Sequence, residues 1–347
     1  MPEIRIDPLS GHRTIIAGER SQRPGGDPGC EPPQPIDPSE DPFVEGHEQR
    51  TPPELFALRP SGPADGPGWT VRVVPNLYPA LSPPAASANA GLAVHPPAGI
   101  DTEPPARGGR GVTRDDLFVS LPAHGAHEVI INGPQPVVSL AQLPRTQVIA
   151  AIDVWRERMR AHRDSRYVQL IVNERREAGA SLPHSHAQLY ALDFVPAAVA
   201  RERERSAAYT TRTMGQSLLG DLLAEEVRRE ERIVAIDDEA VLMAPYASRL
   251  PFQLMLAPRA PRPRFEDDGP TGAALLHDGL CRLARHLGSS PPLNLWVRTA
   301  PPGAEQFCWR IDVLPRLTHI AGLELSTDVN LNIVAPEHAA TLLRAAG

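Results

Sequence analysis

The sequence predicts an α+β fold of two similar halves, each a mostly antiparallel sheet packed with helices. Three observations carry this: seven short strand-like runs bounded by proline or glycine, four segments with the helical period, and 347 residues, enough for two cores. In order, the strands are "WTVRVV" (69–74), "HEVIIN" (127–132), "YVQLIVN" (167–173), "SHAQLYAL" (185–192), "FQLMLA" (252–257), "LNLWVR" (293–298) and "CWRIDVL" (308–314). Apolar residues at helical spacing predict helices over 145–164, from about Pro196 to Arg232, over 272–288, and in the closing "PEHAATLLRAA". The expected division is 1–195 and 196–347.

Forty prolines and 26 glycines are too many for helices and strands alone, so long irregular stretches are expected at 21–54, 82–111 and 257–272. The middle one has few large apolar residues and reads as a disordered insert. A net charge of −7 argues against a protein that coats nucleic acid, which needs a basic face. Cys30, Cys281 and Cys308 are too far apart to form a C-x-x-C pair, so neither a disulfide framework nor a cysteine-rich metal site is expected. The start "MPEIRIDPLSGHR" lacks a signal pattern, and no apolar run reaches the ~18 residues that span a bilayer. The expectation is a cytoplasmic protein without membrane or nucleic-acid partners.

The stretch "SLPHSHAQLYAL" (181–192) sets His184, His186, Gln188 and Tyr190 on one side of an otherwise apolar strand. Pro183 suits a strand start, and "EAGASL" before it supplies Gly179 and the Ser181 hydroxyl in a tight loop. Three readings fit. Two histidines at i and i+2 can clamp a metal, with a third ligand from His124, His127 and Glu128 or from Asp41, His47 and Glu48. A neutral imidazole can instead attack phosphorus, with Gln188 donating to the phosphoryl oxygens. The third reading is a pair of satisfied, half-buried histidines.

"NERREAGASLPHSHAQLYAL" resembles the active-site segment of the galactose-1-phosphate uridylyltransferases, a branch of the histidine-triad superfamily. "RIDPLSGHRTIIAGERSQRP", "TPPEL", "VRVVPNLYPAL", "GAHEVIINGP", "PYASRLPFQLMLAP" and "WRIDVLPRLTHIAGLEL" resemble further blocks of that family in the same order. The resemblance implies two histidine-triad-like halves and a ping-pong exchange: UDP-glucose uridylylates a histidine, and galactose 1-phosphate then takes up the uridylyl group. It implies His186 as nucleophile and Gln188 as phosphoryl donor. Arg20, Arg23, Asn76, Asn173, Gly179, Ser181 and His184 are implied substrate contacts. Guanidiniums fork onto phosphate oxygens, which lets a negatively charged chain hold an anionic substrate. Partners are then a nucleotide sugar and a hexose 1-phosphate, with homodimerisation expected from the family alone.

The family's metal positions are mostly replaced. Where a C-x-x-C zinc motif is usual, the chain reads "DPFV", with Asp41 and Val44, and Pro136 stands at a further ligand position; His184 survives. At a second metal site Glu202 fits, but Arg298, Cys308 and Arg310 stand where histidines would. No tightly bound metal is therefore expected, with Asp41, His184 and Glu202 as vestigial positions. Arg175 stands where the family usually keeps glycine. Uridylyl exchange is the leading reading. A transferase or phosphorylase for ADP-sugars, a metal-dependent hydrolase, and a catalytically silent nucleotide-binding protein are the alternatives.

Overall fold

The computed structural model describes residues 1–22, 30–83, 118 and 120–347. Most of the expected 82–111 insert, and Arg23, lie outside the described residues. The strands and helices are β1 (Glu3–Ile6), β2 (Arg13–Ile16), β3 (Phe56–Leu58), β4 (Val71–Pro75), β5 (Gly125–Ile131), α1 (Arg145–Ala161), β6 (Tyr167–Glu174), β7 (His186–Leu192), α2 (Ala197–Thr213), α3 (Leu218–Arg229), β8 (Ile233–Ile236), β9 (Ala240–Met243), β10 (Leu254–Pro258), α4 (Ala273–Leu287), β11 (Leu293–Arg298), β12 (Arg310–Pro315), α5 (Gly322–Thr327), β13 (Val329–Asn332) and α6 (Pro336–Ala345).

Ten strands form one antiparallel sheet in the order β3-β4-β5-β7-β6-β11-β12-β10-β9-β8, so the α+β architecture is as expected. Read inward from either edge, strands one, two, three, five and four of each half follow one another, and the halves meet where β6 pairs β11. There Asn294 Nδ2 donates to Asn173 Oδ1 across the seam (2.8 Å). We propose that these five-stranded units are the two halves, divided between β7 and α2. A second sheet, β1-β2-β13, joins the chain's two ends, with β13 parallel to β2.

The long helical segment expected over 196–232 is two helices, α2 and α3. Met214 and Gly215 both take positive φ (57° and 116°), which stops α2, and Ser217 restarts the chain as a helix by accepting the Gly220 N–H (3.2 Å). The β8–β9 hairpin, β1, β2 and β13 carried no strand expectation from their own patterning, being four-residue pieces. Among the described residues no helix is long and apolar enough to cross a membrane.

One face of the large sheet packs against α1 and α4. Trp155, Ile152, Leu276, Leu280 and Leu283 are buried there with Ala187, Leu189, Leu295, Val297 and Val313, so a single apolar cluster runs under both halves. Strand alternation sends His186, Gln188 and Tyr190 to the opposite face. A buried polar chain pins β7 from behind: Trp155 Nε1 donates to Asn132 Oδ1 (3.0 Å), and Asn132 Nδ2 donates to Ser185 Oγ (3.2 Å). Gly125 lets β5 approach β7, because a Cβ there would stand 2.0 Å from the Ala191 carbonyl oxygen.

Glu174, at the end of β6, braces the loop behind the histidine strand by accepting the Leu140 N–H at Oε1 (2.7 Å); its other oxygen is buried without a partner. Burial pushes its carboxyl up to about 7. An acid whose folded pKa is raised costs stability as pH climbs from the unfolded value through the folded one. Glu174→Gln keeps the acceptor and removes the charge. Its unfolding free energy relative to wild type should rise by about 1–3 kcal/mol between pH 5 and pH 8, measured by denaturant titration. A pH-independent difference would contradict this.

Candidate active site

The site begins with a loop that needs unusual backbone angles. After β6 the chain turns through a short 3-10 segment (176–178) flanked by Arg175 at φ 68° and Gly179 at φ 90°. Arg175, at φ 68° and ψ 158°, lies in a region kept almost entirely by glycine, where an L-residue pays of order 1–3 kcal/mol of strain, so a glycine at this position would relieve it. The Arg175 guanidinium does not approach the histidines. It donates to the carbonyls of Glu31 (2.8 Å) and Ser290 (3.2 Å) and pairs with Glu177 (2.8 Å).

His184 is almost wholly buried, with Nδ1 2.6 Å from Asp41 Oδ2 and Nε2 2.8 Å from the Gly133 carbonyl. The Gly133 carbonyl can only accept, so Nε2 donates to it, and Nδ1 is engaged by the Asp41 carboxyl group. Burial opposes charge on Asp41, but the His184 hydrogen bond and charge outweigh it and hold the carboxyl below its usual range. With both nitrogens used, His184 has none left for a substrate. This corrects the expectation of a direct contact.

His186 Nδ1 donates to the His184 carbonyl (2.7 Å), which leaves Nε2 as the ring's lone-pair nitrogen. Burial lowers the ring's pKa below 6.5, and the nearby His184 charge acts the same way. Phe43 packs edge-on against both rings, with centroids 6.1 and 5.4 Å away. The His186 ring is thus oriented, favoured in its neutral form, and left with one nitrogen outside that bond.

His186 lines a cavity of about 480 Å³ together with residues that include Phe43, Arg50, Asn76, Tyr78, Ser181 and Gln188. Of the expected contacts, His186, Gln188, Asn76 and Ser181 are brought together here. Arg20 is exposed on a short 3-10 segment, Asn173 sits at the sheet seam, and Gly179 shapes the loop; none of the three lines this cavity. Arg50, anchored by donating to the Ser39 carbonyl (2.6 Å), and the exposed Tyr78 ring were not singled out from sequence. Their only signal was position, Arg50 directly before the "TPPEL" block and Tyr78 within "PNLYP".

The metal ligands that the family resemblance implies do not fit these residues. At the first site Asp41 and His184 bond each other directly, and Val44 and Pro136 offer no donor atom. Of the other ligands considered, three are engaged elsewhere: His47 Nδ1 with the Asp41 carbonyl (2.8 Å), Glu48 with Trp69 Nε1 (2.8 Å), and Glu128 with Arg158 and His162 (2.7 and 2.6 Å). At the second, Glu202 is buried against Arg310 Nη1 (2.9 Å) and Arg298 Nε (3.4 Å), two cations that would repel an ion. Among the described residues no three His, Cys, Asp or Glu side chains converge as a ligand set.

The family model "galactose-1-phosphate uridyl transferase, N-terminal domain" matches residues 100–196. The chain is 28% identical to an ADP-glucose phosphorylase of Arabidopsis thaliana over 99% of its own length and 92% of the relative's. It is 32% identical to a galactose-1-phosphate uridylyltransferase of Haemophilus influenzae over 42% of each chain. The crystal structure of the Arabidopsis ADP-glucose phosphorylase with bound ADP-glucose superposes with a TM-score of 0.76 at 25% identity, covering 99% of both chains. A uridylyltransferase structure superposes at 0.70 with 23% identity over 100% of this chain and 98% of its own, a likeness of fold. The chain thus shares its fold with an ADP-glucose phosphorylase and a uridylyltransferase, and its residues 100–196 match the galactose-1-phosphate uridyl transferase family model.

Proposed function

We propose that the protein is a nucleotidyltransferase that cleaves a nucleotide sugar through a nucleotidyl-His186 intermediate. One observation carries the reading: the His184 carbonyl holds the proton of His186 on Nδ1, which leaves Nε2 as the lone-pair nitrogen of a ring that lines the same cavity as Gln188. Nε2 attacks the α-phosphorus, the P–O bond to the β-phosphate breaks, and hexose 1-phosphate leaves. The acceptor's oxygen then attacks the same phosphorus, the P–N bond breaks, and its electron pair returns to Nε2. In the intermediate the ring is cationic, and the His184 carbonyl stabilises it through the retained Nδ1–H.

The full-length likeness to an ADP-glucose phosphorylase favours ADP-glucose as donor and inorganic phosphate as acceptor, giving ADP. Uridylyl exchange between UDP-glucose and galactose 1-phosphate is the second reading, favoured by the higher identity over the matched segment of the Haemophilus relative. In either case the exposed Tyr78 ring supplies a stacking surface for a base, and Arg50 supplies donors. The cavity's volume suits a nucleoside monophosphate.

Intact-mass analysis after incubation with ADP-glucose or UDP-glucose should show an adenylyl- or uridylyl-sized adduct that His186→Ala lacks. Phosphate should discharge an adenylyl adduct to ADP; discharge by galactose 1-phosphate alone would favour uridylyl exchange, and no adduct with either donor would contradict nucleotidyl transfer. Because the folded pKa of His186 lies below 6.5, the nucleophile loses its lone pair only as pH falls through that lowered value. Single-turnover adduct formation should therefore be flat from about pH 8 down to 6.5, and an acid limb centred above 6.5 would contradict the neutral, buried nucleophile.

A further inference from the structure

We infer that His127 is a positioning residue that fixes which end of the Gln188 amide meets the transferring phosphoryl group. The inference rests on the nucleotidyl-transfer reading and adds a residue to it. His127 on β5 is buried beside β7, directly opposite Tyr190, with its ring stacked on the tyrosine at 4.1 Å. The backbone N–H of Ala80 donates to Nδ1 (3.2 Å), so a neutral ring carries its proton on Nε2. Nε2 lies 3.0 Å from Gln188 Oε1, to which the Tyr190 hydroxyl also donates (2.9 Å).

Both acceptor sites of that oxygen are then filled, and the Gln188 NH₂ group is turned into the cavity as a donor. Reversing the amide would set its N–H groups against the ring N–H. Asn76 Nδ2 also stands 3.1 Å from Nε2, and a ring protonated on Nδ1 would accept from it. That tautomer, however, sets N–H against N–H at Ala80, whose peptide cannot turn, so the Nε2–H form prevails. The order of command runs from the Ala80 peptide, through the His127 tautomer, to the Gln188 donor. A glutamine amide is chemically two-faced, and a phosphoryl oxygen profits from only one of its ends.

The test is a double-mutant cycle read by single-turnover formation of the nucleotidyl adduct, using whichever of ADP-glucose and UDP-glucose modifies wild type. His127→Leu should slow adduct formation about ten-fold, less than the 10²–10³ typical of losing an oxyanion donor outright, because Tyr190 still biases the amide. Donor affinity should stay within about two-fold. His127→Gln, whose amide N–H reaches the place of Nε2–H, should recover most of the rate. In a Gln188→Ala background His127→Leu should cost nothing further, since nothing remains to orient. Equal losses in both backgrounds, or an unslowed His127→Leu, would overturn the proposal while wild-type adduct formation left the underlying reading intact. A wild type that forms no adduct would overturn both. Ring ¹⁵N shifts give an activity-free check: protonated Nε2 with bare Nδ1 supports the relay, and a proton on Nδ1 overturns it.

Discussion

Everything in the site depends on one short hydrogen bond, from His186 Nδ1 to the carbonyl of His184, two residues earlier on its own chain. It settles the tautomer, and in the proposed transfer the tautomer settles which atom attacks. That bond survives only if the chain at His184 cannot move, and three constraints meet there. The Asp41 carboxylate and the Gly133 carbonyl grip the His184 ring, Ser185 N–H donates to the Val137 carbonyl (2.7 Å), and Asn132 ties Ser185 to Trp155 in the core. The apolar side of β7 is therefore part of the chemistry: it holds the polar side still.

The Asp41 to His184 contact joins, by a direct short hydrogen bond, residues at two of the positions where the family pattern implies metal ligands. Glu202 with Arg310 and Arg298 does the same on the C-terminal half. Buried ion pairs contribute little net stability when intact, but removing one partner typically costs about 3–5 kcal/mol because the other charge is stranded. These contacts are better understood as devices of placement. Asp41 anchors the loop that carries Phe43 against the His186 ring, and Glu202 ties α2 to β12 through Arg310.

Much of this was legible in the sequence because β-strands have period two. The alternation in "HAQLYAL" names the polar face, and "YVQLIVN" and "LNLWVR" announce the strands that meet at the seam. The same rule could not separate His184 from His186, which it assigns to one face. Their different fates come from Asp41 and Gly133, distant in sequence, closing over the first ring only. Nor could order along the chain tell that Asn173 joins the seam while Asn76 lines the cavity. The break between α2 and α3 hangs on the positive φ of Met214, a residue with no intrinsic bias toward it, so periodicity ran straight through.

The central claim is that phosphorus bonds to one named atom, and the most direct measurement is NMR of the protein carrying ring-¹⁵N histidine after reaction with its nucleotide-sugar donor. The account predicts ³¹P coupled to Nε2 of His186, with Nδ1 still protonated. Phosphorus on Nδ1, on another histidine, or on none would contradict it.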